Sequence, residues 1–451
     1  PVRQYDTAGE VRMSYDFRGR VVEQVRRVFE DIETEADWEG LLDEASLEDI
    51  DTWLTSNGAL SAEEFTVSTE YDALDRVVEQ TAPNGSVTAY SYDPGGKLLG
   101  IELDAAAVVD EILYNARGQR LSITYGNGTE TSYEYDEDRF WLTRLLTMRS
   151  TEALQDLSYT HDAVGNVLGI EDEAQEDLYF DNTQVTADQT FTYDSLYRLV
   201  QATGREKVGM AQTTFAPPAP GAIPDGGNPA LRTYVQSTTY DAAGNITQVH
   251  HVPSSGSNWT RNYTIHDDNN QLLATSIPGN SSAYDDEYTY NERGAMVFLP
   301  HLRAGVGENV VRDFRDQVRK VLLLNSGDEA WYATDAAGQR VRKVVRLGQF
   351  AHERIYVGGY EVYRKLNTVN ETLDKEIETL HVHDGQRRVA MIETKTVGTG
   401  SPVTVVRYQY DNHLGSAVLE CDESGEIISY EEFHPYGTTA WWAQDSSIQV
   451  S

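Results

Sequence analysis

Residues 15–21 read Tyr-Asp-Phe-Arg-Gly-Arg-Val, and this pattern recurs along the whole chain. The unit is an aromatic residue, Asp or Asn, two variable residues, Gly, a polar residue and an aliphatic residue. Further clear copies begin at Tyr92, Tyr114, Tyr240 and Tyr290, looser copies begin at Tyr5, Tyr71, Tyr135, His161, Tyr193, His266 and Tyr410, and residues 335–341 keep the turn without the tyrosine. Such repetition predicts a fold assembled from one small structural unit.

Each position of the unit has a physical reason. The aromatic residue ends a strand and packs on the sheet, and the Asp or Asn side chain bonds to backbone two residues on and starts a turn. The glycine takes the positive φ that closes the turn. The predicted turn residues are Tyr15, Asp16, Gly19, Tyr92, Asp93, Gly96, Tyr114, Asn115, Gly118, Tyr240, Asp241, Gly244, Tyr290, Asn291, Gly294, Asp411 and Gly415.

The spacing of the copies indicates hairpins. From Tyr71 to Tyr92, Tyr114 and Tyr135 the step is 21 or 22 residues, which accommodates two strands of about seven residues and two turns. Residues between the turns alternate, as in Thr-Ala-Tyr-Ser-Tyr at 88–92, which places aromatic side chains on one face. We therefore predict an all-β chain of tandem antiparallel hairpins.

Hairpins of this kind cannot bury an apolar face alone, so they are expected to lie side by side in one strip. Because sheets twist and bare edges promote aggregation, the strip should coil to shield its surface. The periodicity alone does not show a lumen. At this point a solid sandwich or a propeller stays equally open.

Two segments interrupt the pattern. An acidic insertion at 28–66 has apolar residues near helical spacing, which predicts a short amphipathic helix; they are Trp38, Leu41, Leu42, Ala45, Ile50, Trp53 and Leu54. Residues 204–232 contain five of the 13 prolines, at Pro217, Pro218, Pro220, Pro224 and Pro229. That composition predicts an exposed loop.

Charge and composition exclude several classes of protein. The 451 residues include 73 acidic and 36 basic side chains, for a formal charge of -37, which argues against binding nucleic acid through phosphates. No stretch approaches the roughly 20 apolar residues that cross a bilayer, so direct membrane insertion is not expected. The single cysteine, Cys421, excludes an internal disulfide framework and a multi-cysteine metal site.

The start of the sequence bears on its origin. It begins at Pro1 with neither a methionine nor a charged and then apolar signal segment. We therefore expect the chain to be an excerpt of a longer polypeptide. Localisation must be inferred from other features.

Five longer segments carry a resemblance to a known family. They are 15–27 (YDFRGRVVEQVRR), 197–208 (YRLVQATGREKV), 335–344 (DAAGQRVRKV), 353–364 (ERIYVGGYEVYR) and 407–437 (RYQYDNHLGSAVLECDESGEIISYEEFHPYG). These segments resemble the tyrosine-aspartate (YD, or RHS) repeat region and RHS-associated core of the B and C components of insecticidal Tc toxin complexes and of RHS polymorphic toxins. The last segment is the most specific.

The resemblance implies an organisation along the chain. YD-repeat strands occupy 1–27, the insertion 28–66, a YD-repeat strip 67–203, the proline-rich loop 204–232, a second strip 233–406 and the RHS-associated core 407–451. In the family, an arginine-rich segment and an aspartate-containing self-cleavage motif follow this region, so we expect the chain not to be an enzyme in its own right.

The resemblance also implies a function and partners. The β-strip would spiral and form part of a hollow, cocoon-like shell. The shell would enclose a partly unfolded C-terminal effector, protect it and release it for delivery. Its partners would be that effector, other shell components and an N-terminal propeller, within a secreted or cell-surface toxin complex. Because the chain is acidic, cargo facing acidic groups in the lumen should be basic and its retention sensitive to salt.

Candidate catalytic and metal sites were weighed against structural roles. His381 and His383 share one face of a predicted strand but have no evident third ligand, and His250 and His251 point to opposite faces. For His413 and His434, in the core segment, turn or packing roles are expected. No catalytic, cofactor or metal residue is therefore predicted.

Adjacent acids such as Glu431 and Glu432 could suggest a glycosidase, but such neighbours arise by chance among 73 acids.

The alternative to containment is an extracellular adhesion module that binds glycans or cell-surface proteins through aromatic-rich surfaces. An enzyme is the third and least favoured hypothesis, because no nucleophile elbow, phosphate loop or zinc-protease motif is present in the sequence.

Overall fold

The structure is a computed structural model that describes residues 2–33, 49, 52, 54, 60–209, 221–222, 230–276, 281–385 and 387–445. Its regular elements are short β-strands joined by tight turns. The first group is β1 (Val2–Asp6), β2 (Gly9–Tyr15), β3 (Val21–Val28), β4 (Phe65–Tyr71), β5 (Val77–Thr81), β6 (Val87–Tyr92), β7 (Leu98–Leu103), β8 (Ala106–Tyr114), β9 (Arg120–Tyr125), β10 (Thr129–Tyr135), β11 (Leu142–Arg149), β12 (Glu152–His161) and β13 (Val167–Asp172).

The middle of the chain contains shorter strands. They are β14 (Leu178–Phe180), β15 (Thr183–Val185), β16 (Gln189–Tyr193), β17 (Leu199–Lys207), β18 (Gly221–Ala222), β19 (Leu231–Tyr240), β20 (Ile246–Pro253), β21 (Trp259–Ile265), β22 (Leu272–Thr275), β23 (Asp286–Glu287), β24 (Thr289–Tyr290) and β25 (Met296–Phe298).

The last group has the longest strands. It consists of β26 (Val310–Arg312), β27 (Val318–Leu322), β28 (Glu329–Thr334), β29 (Arg340–Leu347), β30 (Phe350–Val357), β31 (Tyr360–Asn367), β32 (Thr372–His383), β33 (Arg388–Val397), β34 (Val403–Asp411), β35 (Ala417–Cys421), β36 (Ile427–Phe433) and β37 (Thr439–Gln444).

The chain divides into two compact units. Unit 1 comprises residues 1–106 and 302–405, and so contains β1 to β7 and β26 to β33. Within it each strand of the two series pairs antiparallel with the next strand in sequence. Buried apolar side chains from both series, among them Val28, Phe65, Val344 and Ile355, form one hydrophobic cluster. This cluster is the core of unit 1.

Unit 2 comprises residues 107–301 and 406–449. Strands β8 to β13 pair in sequence, and β16, β17 and β19 to β23 continue the same antiparallel order. Strands β34 to β37 form a second series, with β18 parallel to β37. Its apolar clusters include Leu145 with Leu157, and Leu231 with Trp441. The predicted all-β class of tandem antiparallel hairpins is thus confirmed in both units.

The two interruptions lie partly outside the described residues. Of the predicted helix, Leu54 is described: it is helical and fully buried, and the residues from Trp38 to Trp53 named with it are not among those described. All five named prolines of the predicted loop are also outside them. Strand β17 continues to Lys207 and β19 begins at Leu231, so both strands extend into the range predicted as loop. Among the described residues, no helix has the length and apolar character that a membrane crossing requires.

Candidate functional site

The first clear copy of the repeat shows how each turn is built. The Asp16 carboxylate Oδ1 accepts hydrogen bonds from the backbone N–H groups of Arg18 at 2.8 Å and Arg20 at 3.0 Å. The Gly19 N–H donates to the Asp16 carbonyl oxygen at 3.1 Å, and Gly19 has a φ of 83°. The side chain and the glycine therefore close the same turn from two directions.

The other predicted turns repeat this geometry. Side-chain oxygens of Asp93, Asn115, Asp241 and Asn291 accept the backbone N–H four residues later at 2.8 to 3.0 Å. Positive φ angles occur at Gly96, Gly118, Gly244, Gly294 and Gly415. Just before most of these turns the strand register shifts by one residue at the aromatic position, as it does between Ser14 and Tyr15. This bulge accompanies the three-residue turn with a left-handed third residue.

One predicted turn residue is wrong. Asp411 is the last residue of β34, and the turn is made by Asn412, whose Oδ1 accepts N–H groups of Leu414 at 2.9 Å and Ser416 at 3.2 Å. The Gly415 N–H donates to the Asn412 carbonyl oxygen. The turn requires its Asp or Asn three residues before the glycine, and Asp411 is four residues before it.

Some turns have no glycine at the left-handed position. Asp75 and Tyr197 occupy it with φ angles of 66° and 62°, in turns started by Asp72 and Asp194. The Asp72 and Asp194 carboxylates make the same hydrogen bonds as Asp16 does. The Asp or Asn side chain is therefore kept in turns that lack the glycine, which the glycine-based pattern underestimated.

Six tyrosines of the repeat connect neighbouring hairpins, a role that the sequence did not reveal. Each hydroxyl donates to a backbone carbonyl just after the preceding turn: Tyr71 to Val21, Tyr92 to Val77, Tyr135 to Arg120, Tyr193 to Val167, Tyr240 to Leu199 and Tyr290 to Leu272, at 2.7 to 3.0 Å. In five of the six pairs the acceptor is six residues after the aromatic residue that ends the strand of the preceding copy. Each aromatic side chain thus spans from its own hairpin to the one before it.

An arginine after the turn adds a second connection. Arg198 Nε donates to Asp194 Oδ2 at 2.7 Å, its Nη1 donates to the Asp241 carbonyl oxygen at 3.0 Å, and its guanidinium lies 4.8 Å from the Tyr240 ring centroid. Arg20 makes the corresponding contacts with Asp16, Asp72 and Tyr71, and Arg76 pairs with Asp72 and lies over Tyr92. We give the name turn ladder to the six tyrosines above together with Arg20, Arg76, Arg198, Asp16, Asp72, Asp194 and Asp241.

The electrostatics of the turn ladder follow from these contacts. The pKa of Asp194 is lowered chiefly by the backbone N–H of Arg198, against the opposing effect of burial, and further by the Arg198 side chain. The pKa of Asp241 is lowered first by its side-chain hydrogen bond with Asn245. These carboxylates are held in the ionised form that accepts the turn's hydrogen bonds.

Unit 2 also contains a buried polar cluster formed by Glu206, His251, His434 and Arg232. Glu206 Oε2 lies 3.0 Å from His251 Nε2 and 2.9 Å from His434 Nε2. Its other oxygen, Oε1, accepts from Arg232 Nε at 2.8 Å. Burial alone would raise the pKa of Glu206, but the two histidines outweigh it and lower the pKa to about 2. The carboxylate is therefore an anion enclosed by nitrogen atoms.

A second buried ion pair lies in the same unit. Arg205 Nη2 is 2.6 Å from Glu432 Oε1, and the Tyr430 hydroxyl donates to that oxygen at 3.0 Å. Burial lowers and Glu432 raises the pKa of Arg205, and the net shift is upward. The adjacent acids Glu431 and Glu432 occupy alternate positions of β36 and therefore have different partners. The carboxylate of Glu431 receives a hydrogen bond from Thr439.

These side chains border a cavity of about 620 Å³ whose lining includes Gln155, Asp172, Phe191, Tyr234, Glu432 and His434. Burial is the main reason that the pKa of Asp172 is raised to about 6, while backbone N–H groups of Asp156 and Ala174 act in the opposite direction. The cavity therefore combines an apolar wall with a proton-binding carboxyl group.

The structure brings together two histidines, His251 and His434, that the sequence analysis did not connect. His381 and His383 have ring centroids 6.4 Å apart, and His381 Nδ1 contacts Arg388. His250 contacts Thr260, whereas His251 meets His434 across the cluster. Glu206 was missed because it is 228 residues from His434. The local signal for the cluster was His434, which stands at the turn position that Asp or Asn occupies in other copies.

Comparisons with known proteins agree with the repeat pattern. The RHS Repeat family model matches residues 71–107. The chain is 28% identical to the toxin subunit YenC2 of Yersinia entomophaga over all of this chain and 47% of that protein, and 30% identical to YenC1 of the same organism over 92% of this chain and 43% of that protein. The chain therefore spans less than half the length of these relatives.

Solved structures show the same likeness. The crystal structure of TcdB2-TccC3 has a TM-score of 0.81 and 28% identity, covering 98% of this chain and 21% of that chain. A Photorhabdus luminescens Tc holotoxin pore has a TM-score of 0.82 and 28% identity, covering 98% of this chain and 20% of that chain. The similarity extends over almost all of the chain and a fifth of each solved chain.

Proposed function

We propose that the chain, which contains RHS repeats and resembles the shell region of Tc toxin B and C components, is a structural module of a shell that encapsulates a C-terminal effector. The shell protects the effector and holds it for delivery. The observation that carries this proposal is the turn ladder, in which each repeat bonds to the one before it through contacts such as Tyr240 to Leu199.

The ladder supports a wall rather than a set of independent hairpins. A hairpin alone is marginally stable in water, and one repeat gains most of its stability from neighbours in repeat proteins. Tyr71, Arg20 and Asp72 join two hairpins through backbone and side-chain contacts at once. Repeating these contacts extends a sheet without requiring a filled interior beneath each hairpin.

The partners follow from the relatives. The solved structures contain TcdB2 with TccC3, and the curated relatives are toxin subunits. We therefore propose further shell components, an N-terminal propeller and a C-terminal effector as partners, in a secreted or cell-surface toxin complex. The proposed role is structural rather than enzymatic, because the regular contacts of the chain serve to connect hairpins.

Charge supports a preference for basic cargo. The formal charge of -37 gives the chain a large excess of carboxylates, and a lumen lined by them would attract cationic polypeptide. Cargo retention is then expected to weaken as salt rises, since the Debye length falls from about 10 Å at 0.1 M to about 3 Å at 1 M. Equal retention at both salt concentrations would remove the electrostatic part of the proposal.

The test is protease protection of the effector in the assembled complex that contains this chain. Intact complex should leave the effector uncut under conditions that digest the free effector. A variant carrying Gly96→Val, Gly118→Val and Gly244→Val should expose it, because three turns with positive φ are strained. The control variant Gly307→Val, at an exposed glycine that lacks positive φ, should leave the effector protected. Rapid digestion in the intact complex would contradict containment.

Exposed aromatic residues at turn tips favour adhesion as a second candidate function. Phe17 and Phe314 are 94% and 75% exposed, each directly after the Asp of its turn. Aromatic faces bind sugars and protein surfaces. A glycan array with the isolated chain distinguishes the two functions: selective binding that is lost in Phe17→Ser with Phe314→Ser supports adhesion, and absence of binding supports containment.

A further inference from the structure

The buried polar cluster has the composition of a metal site. Glu206 lies on β17, His251 lies on β20, and His434 follows β36, and all three side chains are buried. Their possible ligand atoms, one carboxylate oxygen and two imidazole nitrogens, lie within 4.8 Å of one another. Two histidines and one carboxylate are a known donor set for a catalytic or structural divalent ion such as Zn²⁺.

We propose that Glu206, His251 and His434 bind one divalent transition-metal ion, for which zinc is the best chemical match. The proposal is independent of effector containment. Ligands of one zinc ion lie about 2.0 to 2.2 Å from it, so small side-chain rotations bring all three atoms to bonding distance. Binding displaces any proton on the two Nε2 atoms into solvent.

The hydrogen bonds around His251 supply an independent reason. Gln236 Oε1 lies 3.3 Å from Nδ1, and Glu206 Oε2 lies 3.0 Å from Nε2, so an acceptor faces each ring nitrogen. A neutral imidazole has one ring proton and satisfies one acceptor. With that proton on Nδ1 toward Gln236, the Nε2 atom is available to bind a cation together with Oε2 of Glu206.

The second layer of contacts also fits a metal centre. Ligating histidines usually hold their other ring nitrogen in a hydrogen bond that fixes the ring. Gln236 has this position at His251, and Thr438 Oγ1 lies 3.5 Å from Nδ1 of His434. Arg232 occupies the remaining oxygen of Glu206, so Oε2 is oriented toward the two histidines.

Packing holds the rings beside the cavity. The His251 ring stacks between Tyr234 at 4.9 Å and Trp259 at 5.0 Å. The cavity is bordered by both Tyr234 and His434. It provides a path for the ion and a water molecule for the fourth ligand position that three protein ligands leave open.

The turn at His434 departs from its counterparts in a way that fits this role. In the turn at His266, the Asp268 N–H donates to the His266 Nδ1, so that histidine stabilises its own turn. The His434 turn closes through the backbone bonds seen in the Asp16 turn: the His434 N–H donates to the Thr438 carbonyl oxygen, and the Gly437 N–H donates to the His434 carbonyl oxygen. Its Nε2 contacts Glu206 instead. An ion at this point would link the turn after β36 to β17 and β20 within unit 2.

The first measurement is metal content of the full chain after incubation with Zn²⁺ and removal of free ion. One zinc per chain is expected, and Co²⁺ in its place should give the visible absorption of a low-coordinate cobalt centre. A wild-type chain that retains no zinc, shows no cobalt band and has the same melting temperature with Zn²⁺ and with EDTA overturns the proposal. The cluster is then a set of hydrogen bonds.

Variants identify the ligands. Glu206→Gln, His251→Gln and His434→Asn should each abolish stoichiometric binding, and Asn is suited to position 434 because other turns have it there. Gln236→Leu should weaken binding by about 10- to 100-fold. The controls are His250→Gln, on the same strand, and His266→Asn, at the same turn position, and both should bind one zinc. If a ligand variant fails to fold, the wild-type zinc and cobalt measurements decide; metal loss in the control variants as well would contradict the assignment.

Discussion

The turn ladder and the buried polar cluster use similar side chains in opposite ways. In the ladder, aspartate and arginine pair four residues apart, tyrosines contact the preceding hairpin, and these partly exposed contacts recur in both units. In the cluster, Glu206 contacts histidines 45 and 228 residues away, and all are buried. The ladder therefore distributes stability over many replaceable contacts, whereas the cluster concentrates it in one place.

The difference has energetic consequences. An exposed ion pair contributes about 0 to 1 kcal/mol because water and salt screen it. Removing one partner of a buried pair leaves an uncompensated charge and costs about 3 to 5 kcal/mol. A ladder can lose one contact and remain folded, but a buried cluster cannot lose one charge without loss of local structure.

The largest expected effect comes from breaking a buried pair. Arg205→Met should lower the free energy of unfolding by about 3 to 5 kcal/mol, because Glu432 stays buried without its partner. Arg18→Met is the matched control, since Arg18 and Asp75 are 43% and 55% exposed, and should change stability by at most about 1 kcal/mol. Urea unfolding followed by tryptophan fluorescence measures both. Equal losses would contradict the contrast between the two regions.

A smaller effect, of the opposite sign, is expected at Asp172. Because its pKa is raised in the folded protein to about 6, the unfolded chain loses this proton first as pH rises, and the free energy of unfolding falls between about pH 4 and pH 6. Asp172→Asn keeps an oxygen acceptor for Asp156 and Ala174 and should stabilise the chain by roughly 1 to 3 kcal/mol at pH 7.

The pH profile separates this effect from a change in net charge. The gain from Asp172→Asn should be absent near pH 3.5 and complete above pH 7, measured as the difference in melting temperature from wild type. Asp188→Asn, which removes an exposed carboxylate in the same unit, is the control for the change in net charge. A gain that is independent of pH would refute the explanation.

Gly244→Val tests the ladder's turns. The added Cβ meets no atom within 4 Å, so its cost is the backbone strain of a φ of 95°. We expect a loss of about 1 to 2 kcal/mol in thermal or urea unfolding. Gly307→Val, at an exposed glycine without positive φ, should cost less than about 0.5 kcal/mol. Unchanged unfolding of Gly244→Val would count against the turn assignment.

The smallest effect is expected for one inter-repeat hydrogen bond. Tyr92→Phe removes the hydroxyl that donates to Val77 at 2.7 Å, and should lower stability by about 0.5 to 1.5 kcal/mol. Tyr15→Phe removes a hydroxyl that donates to the Met13 sulfur at the exposed surface, and should have almost no effect. If both variants unfold alike, the tyrosine contact does not join hairpins.

The sequence revealed what is local. The Asp16 to Gly19 turn and its copies could be predicted because side chain, turn and glycine lie within five residues. The error at Asp411 arose within the same short range, where two adjacent Asx residues compete for one turn. The left-handed Tyr197 gave no signal, because a residue other than glycine rarely takes positive φ.

The sequence could not reveal what depends on long-range packing. The tyrosine hydroxyl bonds require knowledge of which hairpins are neighbours and at what register. The contacts of Glu206 with His251 and His434 depend on the placement of the turn after β36 beside β17 and β20. No periodic sequence pattern encodes this placement. The repeat pattern predicts the strand and turn unit, whereas the buried polar cluster can be found only from the tertiary structure.

Electron cryomicroscopy of the assembled complex that contains this chain tests the central claim most directly. The account predicts that the YD hairpins form one continuous wall, with the tyrosine and arginine contacts between successive turns, and that density for the effector lies on its inner side. A wall that surrounds a filled hydrophobic interior, or an effector bound on the outer surface, would contradict it.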